Sequence, residues 1–305
     1  MTTAEVSDVL IGAAAALYSV SLIGWALVVA AQTKTGAKAA DSTARSARNV
    51  KLRELGKAGV LAQITLVLGL LVNVAGVVTR GVAAGRWPTA NMYEFTILGV
   101  AVMAVVVLVL QRRRFLPFVA MLATGFASVF LLIALMLLHV AADGVQPALQ
   151  NRWIYIHVGV AIAATGIFTV AFLTVVAQLL QDSRERGSGT LATKRWRVLD
   201  QLPSSNVLEA LTFRLNASGF VLWTFTLITG AIWAEEAWGR YWNWDPKEVG
   251  TFVSWVIYAA YLHARTTRGW AGRRAAWFAI AGFVVVMLNF TVINYLVPGN
   301  HSYAG

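Results

Sequence analysis

Residues 116–138 read LPFVAMLATGFASVFLLIALMLL, an apolar run without a charged side chain. As a helix, a run of about 20 residues crosses a hydrocarbon core about 30 Å thick. Because the run is continuous rather than alternating, it indicates a helix and not a strand of a β-barrel. Similar runs predict an all-α polytopic membrane bundle of about eight transmembrane helices, at roughly 8–31, 58–79, 94–110, 116–138, 154–180, 215–234, 249–264 and 275–297.

The composition of the whole chain agrees with a membrane protein. Of its 305 residues, 58% are hydrophobic and 13% are charged, whereas soluble domains carry about 25% charged residues. The sequence contains no cysteine, so the chain forms no disulfide and binds no metal through a thiolate. We therefore expect any thiol chemistry to come from a partner or a substrate.

The basic residues are distributed unevenly among the loops. Twenty of the 25 Lys and Arg residues fall in the alternate segments 32–57, 111–115, 181–214 and 265–274. By the positive-inside rule these loops are cytoplasmic and both termini are extracytoplasmic. The net charge of +11 therefore indicates topology and contact with membrane lipid, not a nucleic acid partner. The first run lacks a basic leader and a cleavage site, so we expect it to remain in this protein of the cell membrane.

An aromatic segment separates two of the apolar runs. Residues 233–248 read WAEEAWGRYWNWDPKE. The spacing of Trp238, Trp242 and Asp245 predicts one face of a helix. The density of indole rings indicates a platform for a flat, largely apolar ligand. An interfacial aromatic belt is the alternative interpretation, although a belt places only one or two rings at each helix end.

The four histidines differ in their position relative to this segment. His157 and His301 fall on its outer side and bracket it, so they are candidates to ligate one iron from both faces. His263 falls near the inner end of the seventh run, either as a ligand or as a polar residue at the interface. His139 is interpreted as an interfacial residue. The outer side also holds five cations that are candidates to pair with porphyrin propionates, which are Arg80, Arg86, Arg152, Arg240 and Lys247.

The segment 238–248 resembles the tryptophan-rich WWD signature of haem-handling membrane proteins. Within that group the chain is similar to the CcsA (ResC) family of cytochrome c biogenesis, known as System II. The resemblance also covers PTANMYE at 88–94, WIYIHV at 153–158, YAAYLHAR at 258–265 and HSY at 301–303. It departs at Gly250, where relatives often carry another tryptophan, and this departure predicts a lighter inner edge of the aromatic platform.

The resemblance implies a role for each matching residue. It implies that His157 and His301 hold haem iron at an outer site, and that His263 holds it at an inner site opposite a ligand from a ResB-like partner. It also implies a platform that orients the haem ring, made of Trp238, Tyr241, Trp242, Trp244 and Asp245. Residues 1–57 then contribute the first transmembrane helix and a basic cytoplasmic loop. Residues 58–305 form the haem-handling domain, with its WWD segment at 233–248.

The implied function is transmembrane delivery of haem b and its covalent attachment to Cys-x-x-Cys-His segments of apocytochrome c. That is the activity of a cytochrome c synthase of the haem lyase type. The chain's contribution is positioning of haem, and no further catalytic residue is assigned. A thioredoxin-like thiol reductant is a further expected partner. Three alternatives stay open: a haem exporter or carrier without synthase activity, a non-haem transporter, and a lipid-linked transferase that uses the acids Asp143, Glu235, Glu236 and Asp245.

Overall fold

The architecture is a bundle of long helices. A computed structural model describes residues 1–39, 56–114, 116–142, 151–187 and 190–297. The α-helices of these parts are α1 (Thr3–Ala39), α2 (Gly56–Ala84), α3 (Met92–Arg113), α4 (Pro117–Leu137), α5 (Arg152–Glu185), α6 (Ser205–Trp238), α7 (Pro246–Thr267), α8 (Arg273–Phe290) and α9 (Val292–Leu296). Two 3₁₀ segments, Thr190–Ala192 and Lys194–Gln201, lie between α5 and α6.

The predicted all-α membrane bundle is confirmed. Within the described residues, seven segments are long and apolar enough to cross a membrane: Thr3–Ala31 of α1, helices α2 to α6, and Arg273–Leu296. The expected span 249–264 is helical as part of α7, but this helix is less apolar because it carries Lys247, Glu248, His263 and Arg265. The eighth crossing and the extracytoplasmic position of the termini therefore stay predictions.

The last expected span, 275–297, is interrupted. The backbone of Thr291 (φ −96°, ψ −71°) separates α8 from the short helix α9. Helix breaks commonly occur at proline or glycine, and neither residue marks this one, so the apolar pattern alone predicted a continuous helix. The interruption has a functional consequence, because Asn294 of α9 lines the cavity described below.

Helices α1 to α4 share one apolar core, to which α5 and α6 also contribute. Ile11, Tyr18 and Trp25 of α1 are fully or almost fully buried in this core. The first helix is therefore packed into the bundle and not set apart from it. Helix α3 contacts α5 and so connects this half of the bundle to the half formed by α5 to α8.

A second core, rich in aromatic rings, fills the space between α5, α6, α7 and α8. Phe168 and Tyr258 stack with ring centroids 4.0 Å apart and planes within 2°. Trp223 and Phe283 belong to the same cluster, and all four rings are buried. Because Trp223 also lines the cavity described below, this aromatic cluster adjoins that cavity.

A buried ion cluster ties α2 to α3. The Glu94 carboxylate accepts hydrogen bonds from Arg80 Nε at 3.2 Å and from Arg86 Nη1 at 2.7 Å. Arg80 is 0% exposed, and its Nη2 also donates to the carbonyl oxygen of Val140 at 2.7 Å. Glu94 accepts a further bond from the backbone N–H of Ala90 at 2.8 Å, so the cluster also shapes the loop before α3. Each charge needs its partner here because an unpaired buried charge is costly.

Candidate functional site

An open cavity lies between α5, α6, α7 and the α8–α9 segment, beside the start of α3. Its volume is about 1140 Å³ when the open mouth is included. The wall is mainly apolar, and its polar side chains include His157, Tyr241, Trp242, Lys247 and Asn294.

His157 is a half-buried residue of α5 on the cavity wall. Its Nδ1 lies 2.9 Å from the carbonyl oxygen of Thr226 on α6. Since a carbonyl oxygen only accepts hydrogen bonds, Nδ1 carries the proton of the neutral ring and Nε2 carries the lone pair. Metal-ligating histidines are commonly oriented by such a hydrogen bond from their other nitrogen. The Trp233 ring also lies nearly parallel to the imidazole, with centroids 6.1 Å apart.

The close approach of His157 to α6 depends on Gly230. A Cβ atom at this position would lie 2.7 Å from Cε1 and 2.8 Å from Nδ1 of the imidazole. These distances are shorter than van der Waals contact, so any larger residue at 230 would displace the ring. Gly230 is therefore a positioning residue for His157, which the sequence pattern did not identify.

We expect Gly230→Ala to displace the imidazole of His157 and to weaken metalloporphyrin binding about 10- to 100-fold. That is the cost typical of disturbing the outer partner of a metal ligand. A titration of the purified protein with ferric haem, followed by absorbance, measures the effect. Gly159→Ala, on the helix that carries His157, is the matched control, since no atom lies within 4 Å of a Cβ there. Equal affinities for the two variants would contradict the role assigned to Gly230.

The aromatic segment does not form the helix that its spacing predicted. Helix α6 ends at Trp238, with Gly239 as a left-handed C-cap, and residues 239–245 are not helical. The single helical face predicted for Trp238, Trp242 and Asp245 is therefore wrong. The reason is local: glycine after the last turn ends one helix, and Asp245 followed by Pro246 begins the next.

The predicted aromatic residues occupy different places around the cavity. Tyr241 and Trp242 line it together with His157. Trp238 packs edge-on against Trp233 at 4.6 Å and so supports the ring that lies parallel to the imidazole. Trp244 lies outside the lining, with a side chain that is 74% exposed. Two of the predicted rings thus face the cavity, one supports the histidine, and one points outward.

Two carboxylates determine the backbone of this segment. Asp245 caps α7 and accepts from the N–H of Lys247 at 3.0 Å. Glu248 accepts from the N–H groups of Asn243 at 2.9 Å and Asp245 at 3.1 Å, which completes a capping box. These N–H groups flank Trp244, whose left-handed φ of 59° costs about 1–3 kcal/mol. A ligand role for Asp245 stays a prediction, while its observed contacts are those of a helix cap.

The departure from the family pattern at Gly250 has a packing reason. A Cβ atom here would lie 2.6 Å from Oδ1 of Asn289 on α8. Asn289 is buried, and its Nδ2 donates to Oγ1 of Thr251 at 2.9 Å. The amide of Asn289 therefore fills the space that a side chain at position 250 would take, so the edge expected to be lighter is packed by α8 instead.

Several polar residues of the cavity wall were not singled out from the sequence. Thr251, Asn289 and Asn294 line the cavity. A usable signal existed for the two asparagines, because they interrupt a run that otherwise predicts a membrane span. Polar residues inside such spans face the protein interior or a cavity rather than lipid.

The other predicted iron ligands lie away from this cavity or outside the described residues. His301 lies outside the described residues. His263 lies near the C-terminal end of α7 with an exposed side chain. Nε2 of His139 lies 2.9 Å from Oδ2 of Asp8, and this contact joins the end of α4 to α1. His139 thus has a partner that accounts for its position without a ligand.

Comparison with known proteins identifies the family. The family model for Cytochrome C assembly protein matches residues 89–301, a range that contains the whole cavity lining. The chain is also 34% identical over 251 residues to the cytochrome c biogenesis protein CcsA of Prochlorococcus marinus, covering 74% of this chain and 78% of that protein. The chain belongs to the CcsA family. Its role therefore lies in cytochrome c maturation.

A second CcsA relative and a solved structure agree with this result. The CcsA protein of Synechococcus sp. (strain CC9311) is 36% identical, with coverage of 81% of this chain and 89% of that protein. The structure named Cytochrome c Heme Lyase CcmF has the same fold, with a TM-score of 0.65 at 17% identity. That match covers 98% of this CcsA-family chain and 48% of CcmF, so the chain spans about half the length of CcmF.

Proposed function

We propose that this CcsA-family chain binds haem in the outer cavity and positions it for covalent attachment to apocytochrome c. The observation that carries the proposal is the orientation of His157, whose Nδ1 is bound to Thr226 and whose Nε2 therefore bears the lone pair. The imidazole belongs to the wall of a mainly apolar cavity that also contains Tyr241 and Trp242. A nitrogen ligand, apolar walls and aromatic rings are what a metalloporphyrin requires.

His301 is the proposed second ligand of the outer haem iron. Asn294 lies on the cavity wall, and His301 follows it by seven residues. Helix α9 ends at Leu296, and an extended chain spans at most about 3.3–3.6 Å per residue, so the five residues from there to His301 reach up to about 18 Å. The covalent chain therefore permits the imidazoles of His157 and His301 to act on one iron.

The proposed attachment joins two cysteine thiols of a Cys-x-x-Cys-His segment to the two vinyl groups of haem. In each addition a C–S bond forms, and the thiol proton goes to the neighbouring vinyl carbon. Both sulfurs come from the apocytochrome, since this chain has no cysteine. A thioredoxin-like reductant keeps these thiols reduced. The chain's contribution is to hold the ring in place, which converts an encounter into a fixed geometry.

An inner haem station is proposed at His263. Helix α7 is continuous from Pro246 to Thr267, so His263 lies 14 residues, or about 21 Å, beyond Val249 along the helix. Its exposed side chain is accessible to a ResB-like subunit, which supplies the opposite iron ligand. Haem then moves from the cytoplasmic side of the cell membrane to the extracytoplasmic cavity, in the topology that the basic loops predict.

We expect His263→Ala to lower the haem content of the complex between this chain and its ResB-like partner, and added imidazole to restore part of it. The side chain is exposed, so the substitution removes little packing and leaves the fold intact. Absorbance of the purified complex, with and without imidazole, measures both effects. His139→Ala is the control, because this imidazole contacts Asp8 instead. An unchanged haem content in His263→Ala would exclude the inner station.

The proposal as a whole is tested with the purified complex. We expect bound haem in its absorbance spectrum and, after addition of an apocytochrome, thioether products by mass spectrometry. Haem without thioether products would identify a carrier, and a complex that never holds haem would favour a transporter or transferase. Two of the acids considered for a transferase are engaged within the protein, since Glu236 accepts from Asn151 and Asp245 caps α7. Asp143 lies outside the described residues.

A further inference from the structure

We propose that Lys247 is the cation that binds a porphyrin carboxylate in the outer cavity and that it confers a preference for haem over neutral porphyrins. This inference rests on the proposed haem-binding function and adds a second anchor to it. It follows from comparing the surroundings of the five cations on the outer side of the chain.

Two of these cations are committed to an internal carboxylate. Arg80 and Arg86 both bind Glu94, and the guanidinium of Arg80 is fully buried. Recruiting either arginine to a ligand would leave the Glu94 carboxylate short of a partner in a buried position. The cost of unpairing a buried charge makes both poor candidates for a propionate.

Two other cations lie away from the cavity wall. Arg152 and Arg240 are exposed, and neither belongs to the cavity lining. A carboxylate that they bound would remain in water, where an ion pair contributes little. Lys247 differs from both, because it is half-buried and lies on the wall of the cavity that contains His157.

The contacts of Lys247 leave its ammonium able to bind a ligand. Its Nζ donates to Oδ1 of Asn294, a neutral amide that also lines the cavity. Across the parts of the chain that the structure describes, no ion pair joins this ammonium to a carboxylate. Glu248 binds two N–H groups and Asp245 caps α7. Burial lowers the pKa of Lys247 to about 8, and the charge of Asp245 acts in the opposite direction. An ammonium has three donors, so one bond to Asn294 is compatible with bonds to carboxylate oxygens.

A second anchor has a mechanical consequence for the proposed reaction. A porphyrin held only through its iron and one imidazole rotates about the Fe–N bond. The propionates and the vinyl groups of haem are on different parts of the ring edge, so holding a propionate at Lys247 fixes where the vinyl groups lie. Restricting this rotation is a positioning effect of the kind that raises the rate of a reaction between two held groups. Lys247 is thus a positioning residue, and His157 is the iron ligand.

The test measures binding of ferric haem and of haem dimethyl ester, which lacks the carboxylate charges, to the purified complex. We expect the wild-type complex to bind haem about tenfold or more tightly than the ester, the magnitude of a hydrogen bond between charged groups. Lys247→Gln should abolish this preference, because glutamine carries no charge to pair with the carboxylates that only haem carries. Lys247→Arg should retain part of it. Arg240→Gln, at an exposed outer cation, should retain all of it.

The outcomes separate this inference from the proposed function. If the wild-type complex binds neither porphyrin, the haem-binding function itself is wrong. If it binds both equally, or if Lys247→Gln keeps the preference, only the role of Lys247 is wrong. Asn294→Asp provides a second variant if Lys247→Gln does not fold, because the new carboxylate would compete with the propionate for the ammonium. A preference that persists in Asn294→Asp would likewise overturn the proposal.

Discussion

Replacing His157 with alanine should remove haem from the outer cavity and stop cytochrome c assembly. Disturbing only the outer partner of a metal ligand costs about 10- to 100-fold in affinity, so loss of the ligand itself should cost more. The imidazole is half-buried and donates one hydrogen bond to Thr226, so its removal should not unfold a bundle of this size. Haem titration of the purified complex and thioether formation on an added apocytochrome measure the two effects.

Controls for this experiment come from the same chain. His139→Ala removes an imidazole that contacts Asp8 and should leave haem affinity unchanged. Added imidazole should restore part of the haem binding in His157→Ala, because the missing nitrogen is then supplied from solution. His301→Ala should resemble His157→Ala if both imidazoles ligate one iron. Wild-type haem binding in both ligand variants would show that the outer site is elsewhere.

Replacing Glu94 with glutamine should destabilise the fold by about 3–5 kcal/mol, the cost typical of breaking a buried ion pair. Glutamine has nearly the same shape, but it lacks the negative charge that pairs with both Arg80 and Arg86. Arg80 is then left fully buried with a positive charge and no carboxylate partner. Thermal unfolding in detergent, followed by tryptophan fluorescence, measures the loss.

An exposed ion pair provides the comparison for Glu94→Gln. Asp182 of α5 pairs with Arg186, which directly follows this helix. The side chain of Arg186 is mostly exposed. Arg186→Ala should change stability by no more than about 1 kcal/mol, as is usual for surface pairs. If Glu94→Gln were no more harmful than Arg186→Ala, the buried cluster would have no structural role. A second expected effect is weaker haem binding, because Glu94 also bonds Ala90 in a loop that lines the cavity.

The elements that sequence alone predicted well are those governed by local chemistry. Seven of the eight expected membrane spans each fall on one helix, and the last is divided between α8 and α9. Helices are expected because a long apolar run in lipid must satisfy its backbone hydrogen bonds internally. His157 was selected because, with His301, it brackets the aromatic segment on its outer side, and it lies on the cavity wall. The WWD segment also contributes to that wall, through Tyr241 and Trp242.

The prediction for the WWD segment was wrong where it extrapolated helical periodicity across Gly239. Periodicity assigns a face only while the helix continues, and the left-handed glycine ends it. The roles of Trp238, Trp242 and Trp244 then depend on a loop whose backbone is held by Glu248. No spacing rule contains that information, since it arises from contacts made after the turn has formed.

The sequence by itself determined that this chain is a helical membrane protein, and its motifs placed it in the CcsA family. Hydrophobic length and residue identity carry that information, because both act within a single segment. Only the tertiary structure decided which nitrogen of His157 bears the lone pair, why position 230 must be glycine, and which of five cations reaches the cavity. These properties depend on distances between α5, α6, α7 and α9, and such distances exist only once the helices have packed.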